Sequence, residues 1–250
     1  MILKQESREA YRNHVLECYP EESVGVIVNG EYIPCKNTHP EPLLSFKLSG
    51  KERYEIEQKV GKIEAILHSH PYKLEDSAEF QRKLYNPVWP SVNDQQAWMA
   101  DNITWGIVAT DGEGISEINW LEEAIIPFDR RPFNWFTSDC FTLVRDWHRL
   151  NNDLVIPNFT REYEFWAKGY NTIEEGINSI PYAVRLPYEK ADIGDVGVFA
   201  IGGEIVNHLG VISGSNEIMH QWIDRYIECA RWDVWRRRCK YVVRFEKDKV

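Results

Sequence analysis

Alternating hydrophobic and polar positions divide the first half of the chain into short strands and polar helices. A helical spacing over residues 7–18, with Ser7 as the expected N-cap, precedes an apolar run from Val24 to Val28. Asn29-Gly30 predicts a hairpin turn into a returning strand over 31–35. Further along, the pattern predicts a strand around Phe46, a polar helix over 51–59, a strand over 63–68, a helix from Ser91 through Ala100, and paired strands over 103–110 and 115–121.

The second half begins with a helix and continues with strands. Residues 122–137 are rich in proline, charge and aromatic residues, which predicts a connector. Leu143, Val144 and Trp147 then form a helical face, with Cys140 at the start of that helix. Residues 160–179 are predicted helical, and strands follow near 196–199, 205–213, 218–222 and 241–245. The prediction is an α+β protein of two domains, 1–121 and 138–250, joined by a linker over 122–137.

Composition narrows the functional classes. The chain has 250 residues, 43% of them hydrophobic, and a net charge of −10, which argues against a nucleic-acid partner or an anionic membrane surface. Five cysteines without C-x-x-C spacing predict reduced thiols and no cysteine zinc site. The charged N-terminus predicts no signal peptide, and no apolar run approaches the roughly 20 residues of a membrane span.

The stretch Ile66-Leu67-His68-Ser69-His70-Pro71 carries the first candidate chemistry. Residues i and i+2 of a strand share one face, so His68 and His70 converge where the strand ends. Two imidazoles are a good start for zinc, which takes three protein ligands in catalytic sites, and Ser91-Val92-Asn93-Asp94 offers the third. The alternative interpretation is a hydrogen-bonded structural pair of histidines.

The predicted order of helices and strands, together with His68-Ser69-His70-Pro71 and the Ser91-x-x-Asp94 spacing, resembles the JAMM/MPN metalloprotease family. The resemblance implies that His68, His70 and Asp94 bind Zn²⁺. It also implies that Glu22 is the general base and that Ser91 stabilises the oxyanion. One departure is the interval between Pro71 and Ser91, which is longer than the family's usual spacing, so residues 72–90 are interpreted as an insertion over the site. Glu75 and Asp76 remain alternative third ligands, and a dead fold with solvated carboxylates remains the alternative to an active site.

The second candidate site begins at Cys140. A helix N-terminus favours a thiolate, so the pKa of this thiol is expected below its usual ~8.5. His208 and His220 lie on adjacent predicted strands, where cross-strand neighbours meet. Asp-Cys-x-x-Leu-Val, His-(apolar)-Gly and Met-His resemble the NlpC family of cell-wall cysteine peptidases. The resemblance implies that Cys140 is the nucleophile, His208 its base and His220 the orienting residue; an inert core cysteine and a structural His208 are the alternatives.

A JAMM domain followed by an NlpC-type domain resembles a family of tail-tip proteins of lambda-like tailed phages. The resemblance implies a protein made in the host cytoplasm and then built into the virion tail, with other tail-tip proteins as partners. The second half would cut peptidoglycan peptides, and the first would cut a tail component or a ubiquitin-like protein. The alternatives are a bacterial deconjugating protease of a ubiquitin-like pathway and a structural tail protein with vestigial sites.

Overall fold

The computed structural model describes residues 3–72, 86–101, 103–122, 124–129 and 131–246. The chain divides into two compact units, residues 1–123 and 124–250. Each unit combines one β-sheet with α-helices, so the predicted α+β class is confirmed. The finer assignment to the JAMM/MPN and NlpC folds stays a prediction.

The first unit has a five-stranded sheet in the order β2-β1-β3-β4-β5. Only β3 and β4 run parallel, and α3 lies between them in sequence, as a parallel crossover requires. The elements are α1 (Gln5–Cys18), β1 (Val24–Val28), β2 (Glu31–Cys35), α2 (Gly50–Lys59), β3 (Ala65–Pro71), α3 (Val92–Asp101), β4 (Thr104–Thr110) and β5 (Asn119–Leu121).

The core of this unit lies between α1 and the sheet. Tyr11 and Val15 on α1 pack with Ile27, Leu67 and Val108 from the three central strands. Every residue of β1 is buried, which explains its uninterrupted apolar sequence. The central strands are therefore fixed on both sides, and the polar residues at their ends are held in defined positions.

Two local predictions in the first unit are wrong. The first helix begins at Gln5, with Lys4 at the N-cap position. Ser7 lies inside the helix, and its hydroxyl does not cap it but accepts the backbone N–H of Tyr32. The segment around Phe46 is irregular; in it Asn37 and Leu48 form only an isolated bridge. The predicted turn at Asn29-Gly30 is confirmed, with positive φ at both residues.

The second unit has a six-stranded antiparallel sheet in the order β10-β9-β8-β7-β11-β6. The first helix of this unit, α4, packs against β8, near the middle of the sheet. The elements are α4 (Cys140–Asn152), α5 (Thr172–Asn178), β6 (Ala183–Leu186), β7 (Val196–Phe199), β8 (His208–Gly214), β9 (Glu217–Gln221), β10 (Ile227–Arg231), α6 (Trp232–Trp235) and β11 (Cys239–Phe245), with 3-10 turns at Tyr188–Lys190 and Arg236–Arg238.

The helix predicted over 160–179 is confirmed only at α5, because the residues before it form turns. Arg131, Trp135 and Phe136, which lie within the segment predicted as a linker, are buried in the second unit. All five cysteines are free thiols, as predicted. Within the described part of the chain, each helix is too short or too polar to cross a membrane.

Candidate active sites

The first candidate site lies where β3 ends and α3 begins. Three predicted ligands converge there: the Nε2 atoms of His68 and His70 are 3.1 Å apart, and the Asp94 carboxylate lies 3.4 Å from one and 3.2 Å from the other. Ligands held at ~2.0 Å around a tetrahedral zinc ion are separated by roughly 3.3 Å. The spacing of these three groups therefore fits a zinc ion.

Strand alternation places the two histidines on one face and Ser69 on the other. The Ser69 hydroxyl accepts the backbone N–H of Ser23 at 2.9 Å and lies 3.0 Å from the Ser23 hydroxyl. The backbone N–H of Ser69 in turn donates to the Ser23 carbonyl. These buried bonds fix the end of β3 beside the residue that precedes Ser23, which is Glu22. Ser69 was not among the predicted site residues, although it lies between the two histidines in the sequence.

Asp94 is held by the start of α3. Its backbone N–H donates to the Ser91 hydroxyl, and its carboxylate accepts the backbone N–H of Ser91 at 2.8 Å. This reciprocal pairing satisfies two otherwise free N–H groups at the helix start. The predicted helix from Ser91 is confirmed, and it turns the Asp94 side chain toward the histidines. The exposed Ser91 hydroxyl accepts one bond there and keeps its own hydrogen for donation.

Glu22 lies just before β1, with its side chain buried against the same cluster. Ligand atoms of Glu22, His68 and His70 all lie within 4.8 Å of one another. The Glu22 Oε2 atom is buried and accepts no hydrogen bond from the described residues. Burial, opposed by the nearby His70 ring, raises the pKa of Glu22 to about 7. A carboxyl group that gains and loses a proton near neutral pH suits a general base.

The electrostatics of the cluster favour a cation. Burial disfavours a charged His70 ring, but the hydrogen bond to Asp94 outweighs it and raises the pKa of His70 to about 9. The two histidines likewise overcome burial and hold the pKa of Asp94 well below its usual value. Burial lowers the pKa of His68. One positive charge is therefore accommodated among two imidazoles and a carboxylate, a donor set that suits zinc.

Outer contacts orient the two rings. His70 Nδ1 lies 2.7 Å from the Pro87 carbonyl and donates to it, which directs Nε2 toward Asp94; Nε2 must lose its own proton before it can bind a metal. The Tyr11 hydroxyl donates to the His68 carbonyl, and the Phe46 ring packs 4.4 Å from the His68 ring. Pro87 belongs to the predicted insertion over 72–90. Glu75 and Asp76, the alternative ligands, lie outside the described residues.

A cleft of about 530 Å³ opens beside the cluster in the first unit. Asp94 lines it together with the apolar side chains of Phe46, Ile66 and Trp105 and the guanidinium of Arg53. Arg53 is ion-paired with Asp101 at 2.5 Å in the same wall. The cleft has both polar and apolar walls, so it could take a ligand that carries polar groups.

The second candidate site lies where α4 meets β8. Asp139 caps the helix and Cys140 is its first residue, so the predicted helix start is confirmed. His208 and His220 lie on adjacent antiparallel strands, and His208 Nε2 is 3.4 Å from His220 Nδ1. The structure brings the two histidines together; in the described contacts, neither ring is hydrogen-bonded to the Cys140 thiol.

The pKa of the thiol differs from the prediction. Burial and the neighbouring Asp139 carboxylate raise the pKa of Cys140 to about 12, although the backbone N–H of Leu209 favours the thiolate. Burial and the facing His220 ring lower the pKa of His208 to about 3. Burial also lowers the pKa of His220 to about 4. The prediction of an acidic thiol is wrong for this arrangement, because desolvation outweighs the helix N-terminus.

Two tryptophans enclose the histidine pair. The Trp222 ring stacks on His208 at 4.3 Å with the planes 7° apart, and the Trp235 ring lies 4.2 Å from His220. Both tryptophans are half-buried, so they separate the histidines from solvent. The sequence showed many tryptophans in this half, but it carried no signal that these two would reach the site.

Comparison with known proteins gives two relatives. The chain is 25% identical to Tail tip assembly protein K of Escherichia phage N15 over 251 residues, which cover 98% of this chain and 96% of the relative. It is 26% identical to Tail tip assembly protein K of Escherichia phage lambda over 179 residues, covering 71% of this chain and 79% of the relative. No family model matches the chain.

Proposed function

We propose that the chain is a phage tail-tip assembly protein with a zinc peptidase site in its first unit and a cysteine peptidase site in its second. The observation that carries the first activity is the convergence of Glu22, His68, His70 and Asp94 from three separate elements. Surface carboxylates placed at random would not meet one buried and one half-buried imidazole at ligand spacing. The similarity to proteins named for tail-tip assembly supports the assembly role.

In the first site, the protein's own groups divide the work. When bound, Zn²⁺ supplies Lewis-acid chemistry, lowering the pKa of a water and polarising a carbonyl. His68, His70 and Asp94 would hold the ion. Glu22, with its unpaired Oε2 atom, would accept the proton of the attacking water and return it to the leaving amine. The Ser91 hydroxyl would donate to the developing oxyanion.

In the second site, both Cys140 and His208 are neutral in the free protein. His208 would take the proton of Cys140 as the sulfur attacks a peptide carbonyl, and His220 would orient the His208 ring across the 3.4 Å contact. Trp222 and Trp235 would exclude water and thereby strengthen the attraction between the thiolate and the imidazolium. The carbonyl of a peptidoglycan peptide is the substrate class that we assign to this site.

A location in the phage tail would account for both proposed activities. We place the protein in the host cytoplasm during assembly and in the virion tail afterwards, in contact with other tail-tip proteins. The first site would cut a tail component or a ubiquitin-like protein domain, and the second would cut the cell wall. Deletion of the coding sequence from its phage genome should yield particles without normal tail tips by electron microscopy.

The metal assignment is tested by the zinc content of the purified full-length chain. We expect about one zinc per chain in the wild type, because catalytic sites hold the ion with three protein ligands. His68→Ala and His70→Ala should lose the ion, and Asp94→Ala should weaken its binding. Mass spectrometry of the metal after dialysis gives the stoichiometry.

His39→Ala is the matched control, since this imidazole lines the same cleft as Asp94 but is hydrogen-bonded to the backbone of Glu41 and does not belong to the cluster of proposed ligands. It should keep the full zinc content. Glu22→Gln should also keep zinc while hydrolysis is lost, because its role is proton transfer. Full zinc retention in Asp94→Ala would move the third ligand elsewhere, and zinc loss in Glu22→Gln would make Glu22 a ligand.

Digestion of purified peptidoglycan tests the second activity. We expect soluble peptide fragments from the wild type, none from Cys140→Ala, and undiminished release from His68→Ala, whose change lies in the other unit. Cys229→Ala is the control, because this exposed thiol lies on an edge strand. The neutral state of the Cys140–His208 pair favours one other candidate, a wall-binding module; binding of peptidoglycan without cleavage by the wild type would establish it.

A further inference from the structure

The turn before Cys140 contains a strained residue. Phe136 has φ of 75°, a left-handed conformation that a bulky side chain rarely adopts. Such strain persists only where neighbouring groups over-determine it. Asn134 and Ser138 pair across the turn through two backbone hydrogen bonds, so the turn is closed just before the helix begins.

Asp139 connects this turn to the helix. One carboxylate oxygen accepts the backbone N–H of Thr142, which caps α4, and the other accepts the backbone N–H of Phe136. The carboxylate is 1% exposed and immediately precedes Cys140. A buried anion at this position would oppose a thiolate unless a cation neutralises it.

Arg161 supplies that cation from outside the helix. Its Nε atom donates to Asp139 Oδ2 at 3.0 Å, and Nη2 lies 2.9 Å from the same oxygen. Nη2 also donates to the carbonyl of Phe136, the strained residue. The guanidinium is 1% exposed and lies about 5 Å from the ring centroids of Phe136, Phe141 and Phe159. Arg161 therefore bonds both the turn and the carboxylate that caps the helix.

We propose that Arg161 is the positioning residue of the Cys140 site, closing the strained turn onto Asp139 and neutralising the carboxylate beside the nucleophile. This inference rests on the proposed role of Cys140. Lysine cannot replace arginine here without loss, because a single ammonium lacks the planar fork that reaches Asp139 and the Phe136 carbonyl together. Burial favours the neutral form of Asp139, yet Arg161 outweighs it and lowers the pKa of the carboxyl group, so the pair is ionic.

The test is the rate at which iodoacetamide alkylates Cys140 in the full chain between pH 7 and 10, followed by peptide mass spectrometry. Arg161→Gln should slow alkylation about tenfold or more at a given pH, because the thiolate then forms beside an unneutralised anion. Arg161→Lys should fall between Arg161→Gln and wild type. The double variant Asp139→Asn with Arg161→Gln should recover most of the wild-type rate, since both charges are gone.

Arg145→Gln is the matched control, because this arginine pairs with Asp146 on the same helix and Asp146 keeps Arg131 as a partner. It should leave the alkylation rate unchanged. Where Arg161→Gln unfolds, Arg161→Lys and the double variant decide the matter. Wild-type alkylation in Arg161→Lys together with a double variant as slow as Arg161→Gln would overturn the proposal, as would equal slowing in Arg145→Gln. Alkylation needs no substrate, so a failure of peptidoglycan cleavage is a separate result.

Discussion

The two candidate sites use histidines at strand ends but surround them with different partners. In the first unit, His70 faces the Asp94 carboxylate at 3.2 Å, and this anion stabilises a positive charge on the His70 ring. In the second unit, His208 faces another imidazole, that of His220, at 3.4 Å and stacks on Trp222. No carboxylate among the described residues is ion-paired with either of these two rings. The first arrangement therefore stabilises a cation, and the second keeps its groups neutral.

Because of this difference, the two sites would need different ligands to become active. The first site presents three potential metal-binding groups at ligand spacing before any substrate arrives, so in our proposal a metal ion completes it. In the second site, burial opposes ionisation of Cys140, the proposed nucleophile. A bound substrate that displaces water would therefore have to complete this site. Within the described chain, three ligand groups gather closely only in the first unit.

Removal of the proposed metal ion should produce the largest difference in stability between the two units. A ligand that binds only the folded state stabilises it by about 4 kcal/mol at a thousandfold excess over its Kd. We therefore expect a chelator to accelerate amide hydrogen exchange in β1, β3 and α3, which carry or flank the ligands, while β7, β8 and β9 keep their protection. Exchange followed by mass spectrometry resolves the two sets of strands.

His70→Ala is the control for this comparison, because a protein that has already lost the ion should not respond to the chelator. An equal loss of protection in both sheets would contradict the separation of the two sites. Unchanged protection everywhere would mean that the His68, His70 and Asp94 cluster is held by hydrogen bonds alone, as a structural histidine pair would be.

The sequence predicted the parts of each site that depend on local geometry. His68 and His70 share a face because successive side chains of a strand point to opposite faces. Asp94 could be placed because a carboxylate three residues after a serine N-cap accepts the backbone N–H of that serine. Ser23 and Ser69 lie 46 residues apart and meet only when β1 pairs with β3. Such distant partners have no local pattern, and the same holds for Tyr11.

The pKa values of the second site also depend on distant residues that the sequence pattern did not identify. The helix start at Cys140 was visible in the pattern of apolar residues, but the depth of its burial was not. Arg161 lies 22 residues from Asp139 and in a segment predicted as helix that forms turns. The thiol pKa depends on that burial and on those charges, so it could not be predicted from residue spacing alone.

The smallest expected effect of a single side chain concerns acid stability. Burial lowers the pKa of His148 to about 4, and that of His208 and His220 to about 3 and about 4. The unfolded chain binds these protons near pH 6.5, so it gains more protons than the folded unit as pH falls below that value. Stability of the second unit should therefore fall between about pH 6.5 and 3, by roughly 2 kcal/mol per histidine at pH 5.

His148→Leu isolates one of these protons away from Cys140. The ring packs against Trp147 and Phe245 and lies outside the proposed catalytic group, so leucine fills a similar apolar space. We expect the variant to lose about 2 kcal/mol less than wild type between pH 7 and 5, measured by urea denaturation with hydrogen exchange in β8 as the readout. Loss of the contact to Asn152 lowers stability equally at both pH values, and so it cancels in this difference. An identical pH dependence in the two proteins would contradict the prediction, because the pKa of His148 would then be the same in the folded and the unfolded chain.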